Sequence, residues 1–449
     1  MAPTRTLPGP RGHWLLGALP RMRTDMLGFF EECFREHGDA AYFRVGNRRS
    51  MLLSHPDDIE QVLVAENRRF IKNYALRFLQ PLLGNGLLLN EGESWLRQRR
   101  LIQPAFSRQR IESYIPAMAE CTIRLLDRWQ SGQTISMQPA MLELTMSIAG
   151  RTLLGIDVGE QFNTVSDCLD GVMHDFLGRF RAALPLPYWL PTPQNLRLRA
   201  TVGRLDRVLQ ELLSERRRTG FAGDDFLSLL MHARDEDDGR GLSDRQIRDE
   251  VVTMFVAGHE TTANSLSWTW LLLGQHPEIQ ARVQEEVQSV LGQRTPTAAD
   301  LPQLALCDHV IREAQRLYPP AYVIGRRPVC DVTIGGHLLP KNTNVLMSQW
   351  VVHRDPRWWD DPLRFNPDRW ASGLAGRLPK YAYFPFGGGP RGCIGNTFAQ
   401  VEAPLVLAMV AQRFTLELVT TGPVRIQPAV TLRPGQSMQF RVHRRQAGP

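Results

Sequence analysis

A mainly α-helical fold with a minor β part is what this sequence predicts, and three observations carry it. Apolar residues recur at helical spacing over most of the 449 residues. Stretches with strand character are few and short. One helical pattern, from Asp244 to about Leu273, far exceeds the others in length and has its own start and stop signals.

Helical periodicity covers 26–37, 57–65, 95–106, 111–130, 141–154, 196–219, 225–233, 277–291 and 304–318. Alternating or β-branched stretches occur at 41–54, 329–334, 344–347, 414–419 and 438–442. The long helix opens on a capping box, Ser243 with Gln246, and is stopped by Gly274 and Pro277. At 1.5 Å per residue it extends roughly 45 Å, enough to cross a domain. Its middle, Ala257-Gly258-His259-Glu260-Thr261-Thr262, is a polar insertion in an apolar stretch.

Length alone suggests two or three domains, but no linker, low-complexity run or internal repeat divides the chain. The polar stretch 234–241 reads as a long exposed loop between two helical patterns. A single domain over 1–449 is expected, with a Pro-rich lead-in at 1–25. Hydrophobic content of 43% and charge of 22% suit a soluble globular protein with a sizeable core. The net charge of +7 is dispersed over 53 basic and 46 acidic residues and no nucleic-acid motif occurs, so the surface is read as solvated. Six scattered cysteines, no C-x-x-C pair and no signal peptide indicate a reducing, cytoplasmic setting and exclude zinc and dithiol motifs. No apolar run reaches the roughly 18 to 20 residues a bilayer span needs, so no membrane anchor is expected.

The most informative stretch is FGGGPRGCIG, residues 386–395. It surrounds Cys393 with turn-forming glycines and a proline and places it just before an apolar helical pattern, Phe398, Val401, Leu405, Ala408 and Met409. A buried structural cysteine would sit among apolar neighbours. A thiol at the entrance of a helix is biased toward thiolate. Gly389 and Gly395 would let a flat cofactor lie against the loop, and Arg391 could reach an acidic group on its edge. A phosphate-binding P-loop is excluded, because Pro390 and Asn396 stand where it needs glycine and lysine.

Here the chain resembles the cytochrome P450 family, whose haem-ligand pattern is Phe-x-x-Gly-x-Arg-x-Cys-x-Gly. Phe386, Gly389, Arg391, Cys393 and Gly395 fill every fixed position. The resemblance runs from about Leu7 to Val442. It implies the P450 fold, a single haem-binding domain, haem b with Cys393 as axial ligand to the iron, and a monomer. A zinc-protease reading of His259-Glu260 fails, since Ala263 stands at the second histidine position. The stretch instead resembles the family's Ala/Gly-Gly-x-Asp/Glu-Thr-Thr segment, through Ala257, Gly258, Glu260, Thr261 and Thr262. By resemblance, Thr261 and Glu260 deliver the protons that O–O cleavage requires, and Gly258 lets the helix approach the cofactor.

Trp95 and Arg99 match the family's Trp-x-x-x-Arg pair that donates to one haem propionate. Arg326 matches the arginine for the other, although adjacent Arg327 leaves the register open, and His353 is a weaker possibility. Glu313 and Arg316, three apart on a helix, would be a common surface pair taken alone; with Arg369 they match a buried fold-locking triad. Pocket segments carried over from the family are 85–90, 174–186, 256–261, 320–325 and 429–432. Leu88, Val256, Ala257, Tyr322, Val323, Ile324 and Val430 make them apolar, which suggests a hydrophobic substrate: terpenoid, fatty acid, sterol or polyketide. A carboxylate anchor is not evident, although Arg48 and Arg49 could supply one.

The implied reaction is monooxygenation, placing one atom of O2 in a C–H bond or double bond. Without flavin or nicotinamide motifs, NAD(P)H-derived electrons must come from a separate ferredoxin, flavodoxin or reductase. Arg391, Arg97, Arg100, Arg377 and Lys380 are the expected basic docking patch. An electron-independent haem-thiolate isomerase, dehydratase or peroxygenase is disfavoured by the Glu260-Thr261 pair. A haem- or lipophile-binding protein without turnover is the alternative from another class.

Overall fold

The computed structural model of the protein describes residues 8–157, 167, 168, 171, 187–220, 223–371 and 373–446. The expected pocket segment 174–186 and the first seven residues lie outside them. Helices dominate and the strands are short, in agreement with the predicted class. The chain gathers into two compact units.

One unit comprises Met1–Ala75, Asp308–Ile394 and Ile426–Arg433. Its sheet has the strand order Ala40–Val45, Arg48–Leu53, Asn344–Met347, Ile324–Pro328, Phe70–Lys72. The stretch expected at 41–54 is two strands, because Gly46, at φ +59°, turns the chain between them. Arg48–Leu53 and Asn344–Met347 run parallel and the other neighbours antiparallel. Met51, Leu53, Val345 and Met347 pack with Ile59, Leu63, Phe70, Tyr381 and Phe384 in one core. Helix Met26–His37 begins where Asp25 accepts from the Gly28 N–H at 2.9 Å, and it buries Phe29, Phe30 and Cys33.

The other unit comprises Leu76–Cys307, Gly395–Arg425 and Pro434–Pro449. Its long helix is Asp244–Gln275, and the capping box is closed in both directions: Gln246 N–H to Ser243 Oγ at 3.3 Å and Ser243 N–H to Gln246 Oε1 at 2.9 Å. Helices Met137–Ala149 and Asn396–Arg413 pack against it. The pattern at 111–130 is two helices, Arg108–Ser113 and Ile115–Asp127, since Pro116 lacks the amide hydrogen a continuous helix needs and is suited to a first turn. Strands Thr134–Ser136, Gln439–Arg444 and Phe414–Leu418 form a three-stranded sheet in that order. The loop at 234–241 is not uniformly exposed, because Asp235 is buried beneath Arg97 and Arg100.

Candidate active site

The first unit carries the cysteine loop. Cys393 N–H donates to Phe386 O at 2.9 Å, Gly392 N–H to Gly389 O at 3.0 Å and Gly387 N–H to Phe384 O at 2.9 Å, so the loop is folded back on itself. Gly389 has φ +66°, and a Cβ there would lie 1.9 Å from the Leu63 carbonyl oxygen. Glycine at 389 is therefore required by packing within the protein and by its backbone, rather than by a cofactor's approach as expected. Gly395, at φ −83°, is the N-cap of helix Asn396–Arg413.

Cys393 is exposed on this loop. Cys33 and Cys121 differ from it: burial pushes their thiols up to about 12 and about 11, which keeps them protonated and inert. Arg391 occupies the short turn Gly389–Arg391. Within strand Ile324–Pro328, alternation turns Arg326 to the buried side, where it donates to Gly325 O at 3.0 Å. Arg327 instead donates to the Tyr74 hydroxyl at 2.7 Å and stacks on its ring.

Behind the loop, Glu313 and Arg316 are completely buried. Arg316 Nε and Nη2 donate to the two Glu313 oxygens at 2.9 and 2.8 Å, and Arg369 Nε donates to Glu313 Oε1 at 2.9 Å. Trp370 Nε1 donates to Glu313 Oε2 at 3.0 Å, a partner that sequence reasoning passed over. His353 is not a propionate donor. It is fully buried, its Nε2 accepts from Phe384 N–H at 3.0 Å, and burial beside Arg316 and Arg354 depresses its pKa well below the ordinary value.

Of the predicted lining residues in this unit, Val323, Ile324 and Val430 are partly exposed, but Tyr322 is not. The Tyr322 ring is in the core and its hydroxyl donates to Ala429 O at 2.8 Å, so it braces the 320–325 loop against 429–432 rather than lining a cavity.

The second unit carries the polar turn of the long helix. From Ile247 to Leu273 every residue is buried except Arg248, Val256, Ala257, Gly258 and Thr261. Ala257, Gly258 and Thr261 share one helical face, and a Cβ on Gly258 would meet nothing within 4 Å. Thr261 Oγ1 donates to Ala257 O at 2.8 Å. Thr145 Oγ1 from helix Met137–Ala149 donates to His259 O at 2.9 Å, and His259 Nδ1 lies 2.8 Å from Phe255 O. Glu260 is buried beside them in sequence.

Three acidic residues in this unit escaped sequence reasoning. Asp249 Oδ2 accepts from Asn85 N–H at 2.8 Å and Glu250 Oε2 from Leu87 N–H at 2.9 Å, which pins the predicted lining loop that carries half-buried Leu88 to the long helix. Glu402 in helix Asn396–Arg413 is buried, and neither of its oxygens has a partner at hydrogen-bond geometry. Burial pushes its pKa up to about 8, with only the neighbouring Thr262 hydroxyl opposing, so it is protonated at neutral pH. The available signal was an acid at an apolar position of a helical pattern.

Trp95 and Arg99 lie four apart on helix Gly92–Ile102, Trp95 buried and Arg99 half-buried with Nε 3.4 Å from Gln103 Oε1. Arg97 and Arg100 turn the other way, 3.2 Å from Asp235 and 2.7 Å from Asp237. Lys380 lies 3.8 Å from Glu60. Three members of the expected docking patch are thus neutralised within the protein.

The donor set suits an iron porphyrin. In the first unit the exposed Cys393 thiol stands on a braced loop, as a thiolate ligand to such a group would need to. Among the described residues no group of three or more His, Cys, Asp or Glu is arranged to hold a metal ion.

The Cytochrome P450 family profile matches residues 7–440. The chain is 36% identical over 427 residues to cyclooctat-9-en-7-ol 5-monooxygenase of Streptomyces melanosporofaciens, covering 93% of each protein. It is 36% identical over 424 residues to pentalenene oxygenase of Streptomyces avermitilis, again covering 93% of each. The cytochrome P450DA haem domain superposes with a TM-score of 0.90 at 27% identity, over 98% of both chains. With an exposed cysteine in the family's own loop and a match over nearly its whole length, the chain belongs to the cytochrome P450 family and is an oxidoreductase of that family.

Proposed function

We propose that this protein is a haem-thiolate monooxygenase acting on a carbocyclic terpenoid, with electrons from a separate ferredoxin or flavodoxin and its reductase, and that it is a single haem domain and a monomer. The carrying observation is the exposed Cys393 thiol on a loop braced by its own hydrogen bonds. Support for the substrate class comes from the relatives named for cyclooctat-9-en-7-ol and pentalenene, whose names denote carbocycles with few or no polar groups. Leu88 and Val256 in one unit, and Val323, Ile324 and Val430 in the other, are each apolar, in keeping with such a ligand.

Haem, which membership of the family implies, supplies oxygen activation when bound. Cys393 Sγ would hold its iron, and Arg391, Arg326, Trp95 and Arg99 would hold its propionates. The Thr261 hydroxyl, anchored on Ala257 O, sits on the bare helix face and passes protons there. Glu260 supplies them from one residue away.

The test uses the haem-loaded protein with a surrogate ferredoxin and reductase. Wild type should show the thiolate-type carbon monoxide spectrum and couple NADPH oxidation to a hydroxylated or epoxidised cyclic terpene. Cys393→Ser should lose that spectrum; an unchanged spectrum defeats the ligand assignment. Wild-type turnover of no terpenoid, with turnover of fatty acids or sterols, defeats the substrate class alone.

A further inference from the structure

In the first unit, residues 13–17 form a closed turn. His13 N–H donates to Gly17 O at 2.9 Å, Gly17 N–H returns to His13 O at 2.8 Å, and His13 Nδ1 accepts from the N–H groups of Leu15 and Leu16, each at 3.2 Å. The turn is fastened to the hairpin of strands Ala40–Val45 and Arg48–Leu53. Gly46 N–H donates to Leu16 O at 2.9 Å and Ala18 N–H to Arg44 O at 2.6 Å. Gly17 lies so close that a Cβ would stand 2.1 Å from Arg44 O. This is a fixed projection rather than a loose tail.

Its tip is apolar and outside the core. Trp14 is 80% exposed, Leu15 56% and Leu16 38%, whereas Gly17 and Ala18 behind them are buried. Isolated exposed apolar residues are ordinary, but three in succession held out by a hydrogen-bonded turn mark a contact surface. A tryptophan with leucines suits the boundary between hydrocarbon and water, because the indole is apolar with one polar edge.

Charge supplies the second argument. Arg11, Arg23, Arg44, Arg48 and Arg49 flank the tip or lie on the hairpin that holds it, and all are exposed. Among the described residues none of them is paired with a carboxylate. Arg44 donates to Gly46 O, and Arg48 stacks on Tyr74. Several arginines elsewhere are matched to acids, as in Arg97 with Asp235, Arg110 with Asp224, Arg128 with Glu143 and Arg413 with Asp127. A cluster of uncompensated arginines around an apolar tip complements a surface that is negative outside and hydrocarbon within.

We propose that the Trp14-Leu15-Leu16 tip and its arginines dock this enzyme peripherally on a lipid bilayer bearing anionic headgroups. The tip enters the interface and the guanidinium groups meet the phosphates. Among the described residues no helix is long and apolar enough to span the bilayer, so the proposed contact is interfacial. Such docking would set the enzyme where a hydrophobic substrate concentrates.

The experiment is co-sedimentation of the full-length, haem-loaded protein with vesicles of phosphatidylcholine alone or mixed equally with phosphatidylglycerol. Wild type should pellet with the mixed vesicles and much less with the neutral ones, and about 1 M salt, which shortens the screening length to about 3 Å, should release most of it. Trp14→Ser/Leu15→Ser and Arg11→Gln/Arg49→Gln should each lower the partition coefficient on the order of tenfold. The replaced side chains are exposed, and Tm reads folding independently. The proposal is overturned if wild type ignores the mixed vesicles, if it binds both compositions equally, or if neither variant weakens binding. It is overturned equally if the same residues instead capture an acidic ferredoxin or mediate self-association.

Discussion

The backbone N–H of Phe384 donates to Nε2 of His353 at 3.0 Å, and the carbonyl of the same histidine accepts from Arg316 Nη1 at 2.9 Å. One buried residue thus joins the Glu313 network to the start of the cysteine loop. His353→Phe keeps a ring of similar shape but leaves the Phe384 N–H unsatisfied, at a cost of about 1 to 3 kcal/mol. The expected result is a lower Tm and a lower haem-to-protein ratio, both measured on the purified variant.

His353 also makes a pH prediction. Its folded pKa is depressed, so its neutral form contributes stability above the ordinary value of 6.5, and that contribution is lost as pH falls toward the depressed folded value. Wild-type Tm should therefore fall from pH 7 to pH 5 more steeply than that of His353→Gln, which cannot take up a proton. Equal slopes would show that the histidine is not held neutral.

Arg316→Ala strands the completely buried Glu313 carboxylate. Breaking a buried pair from one side costs roughly 3 to 5 kcal/mol, against about 0 to 1 kcal/mol for an exposed one. Arg369→Ala should cost less, since Arg316 and Trp370 still donate to both Glu313 oxygens. Denaturant melts of the two variants give the order.

Gly389→Ala must accommodate a Cβ beside the Leu63 carbonyl at a positive φ. Left-handed strain is of order 1 to 3 kcal/mol, and the collision adds to it. The loop should shift and the thiolate-type carbon monoxide spectrum should weaken, while circular dichroism in the helical region stays close to wild type. A full-strength spectrum would mean that the loop tolerates the displacement.

Glu402 gives the opposite pH slope from His353. Its pKa is raised from 4.5 to about 8, so above 4.5 the unfolded chain releases a proton that the folded chain retains. Folding stability should decline through this window at up to about 1.4 kcal/mol per pH unit, and level off above pH 8. Glu402→Gln should gain Tm over wild type at pH 8 and not at pH 4.5, as read by parallel thermal melts.

Local chemistry made several features legible without coordinates. The capping box at Ser243 and Gln246, the helix Met26–His37 and the glycine-rich turn around Cys393 are decided by residues within a few positions of one another. Register-dependent and short-strand features were not legible. Strands such as Phe70–Lys72 and Ile324–Pro328 are too short to show alternation and exist because partner strands complete their hydrogen bonds.

The sequence by itself determined the fold class, the family and the residue types at the candidate site, because spacing along the chain is enough to place a lone cysteine in a turn and an acid beside an alcohol on a helix. Only the tertiary structure decided how individual side chains are used. It assigned Tyr322 and His353 to bracing, placed Arg97 and Arg100 against Asp235 and Asp237, tied Gly389 to Leu63 and left Glu402 buried without a hydrogen-bond partner. Each outcome depends on burial or on a partner distant in sequence, and the polarity of a residue does not reveal whether water or protein will surround it.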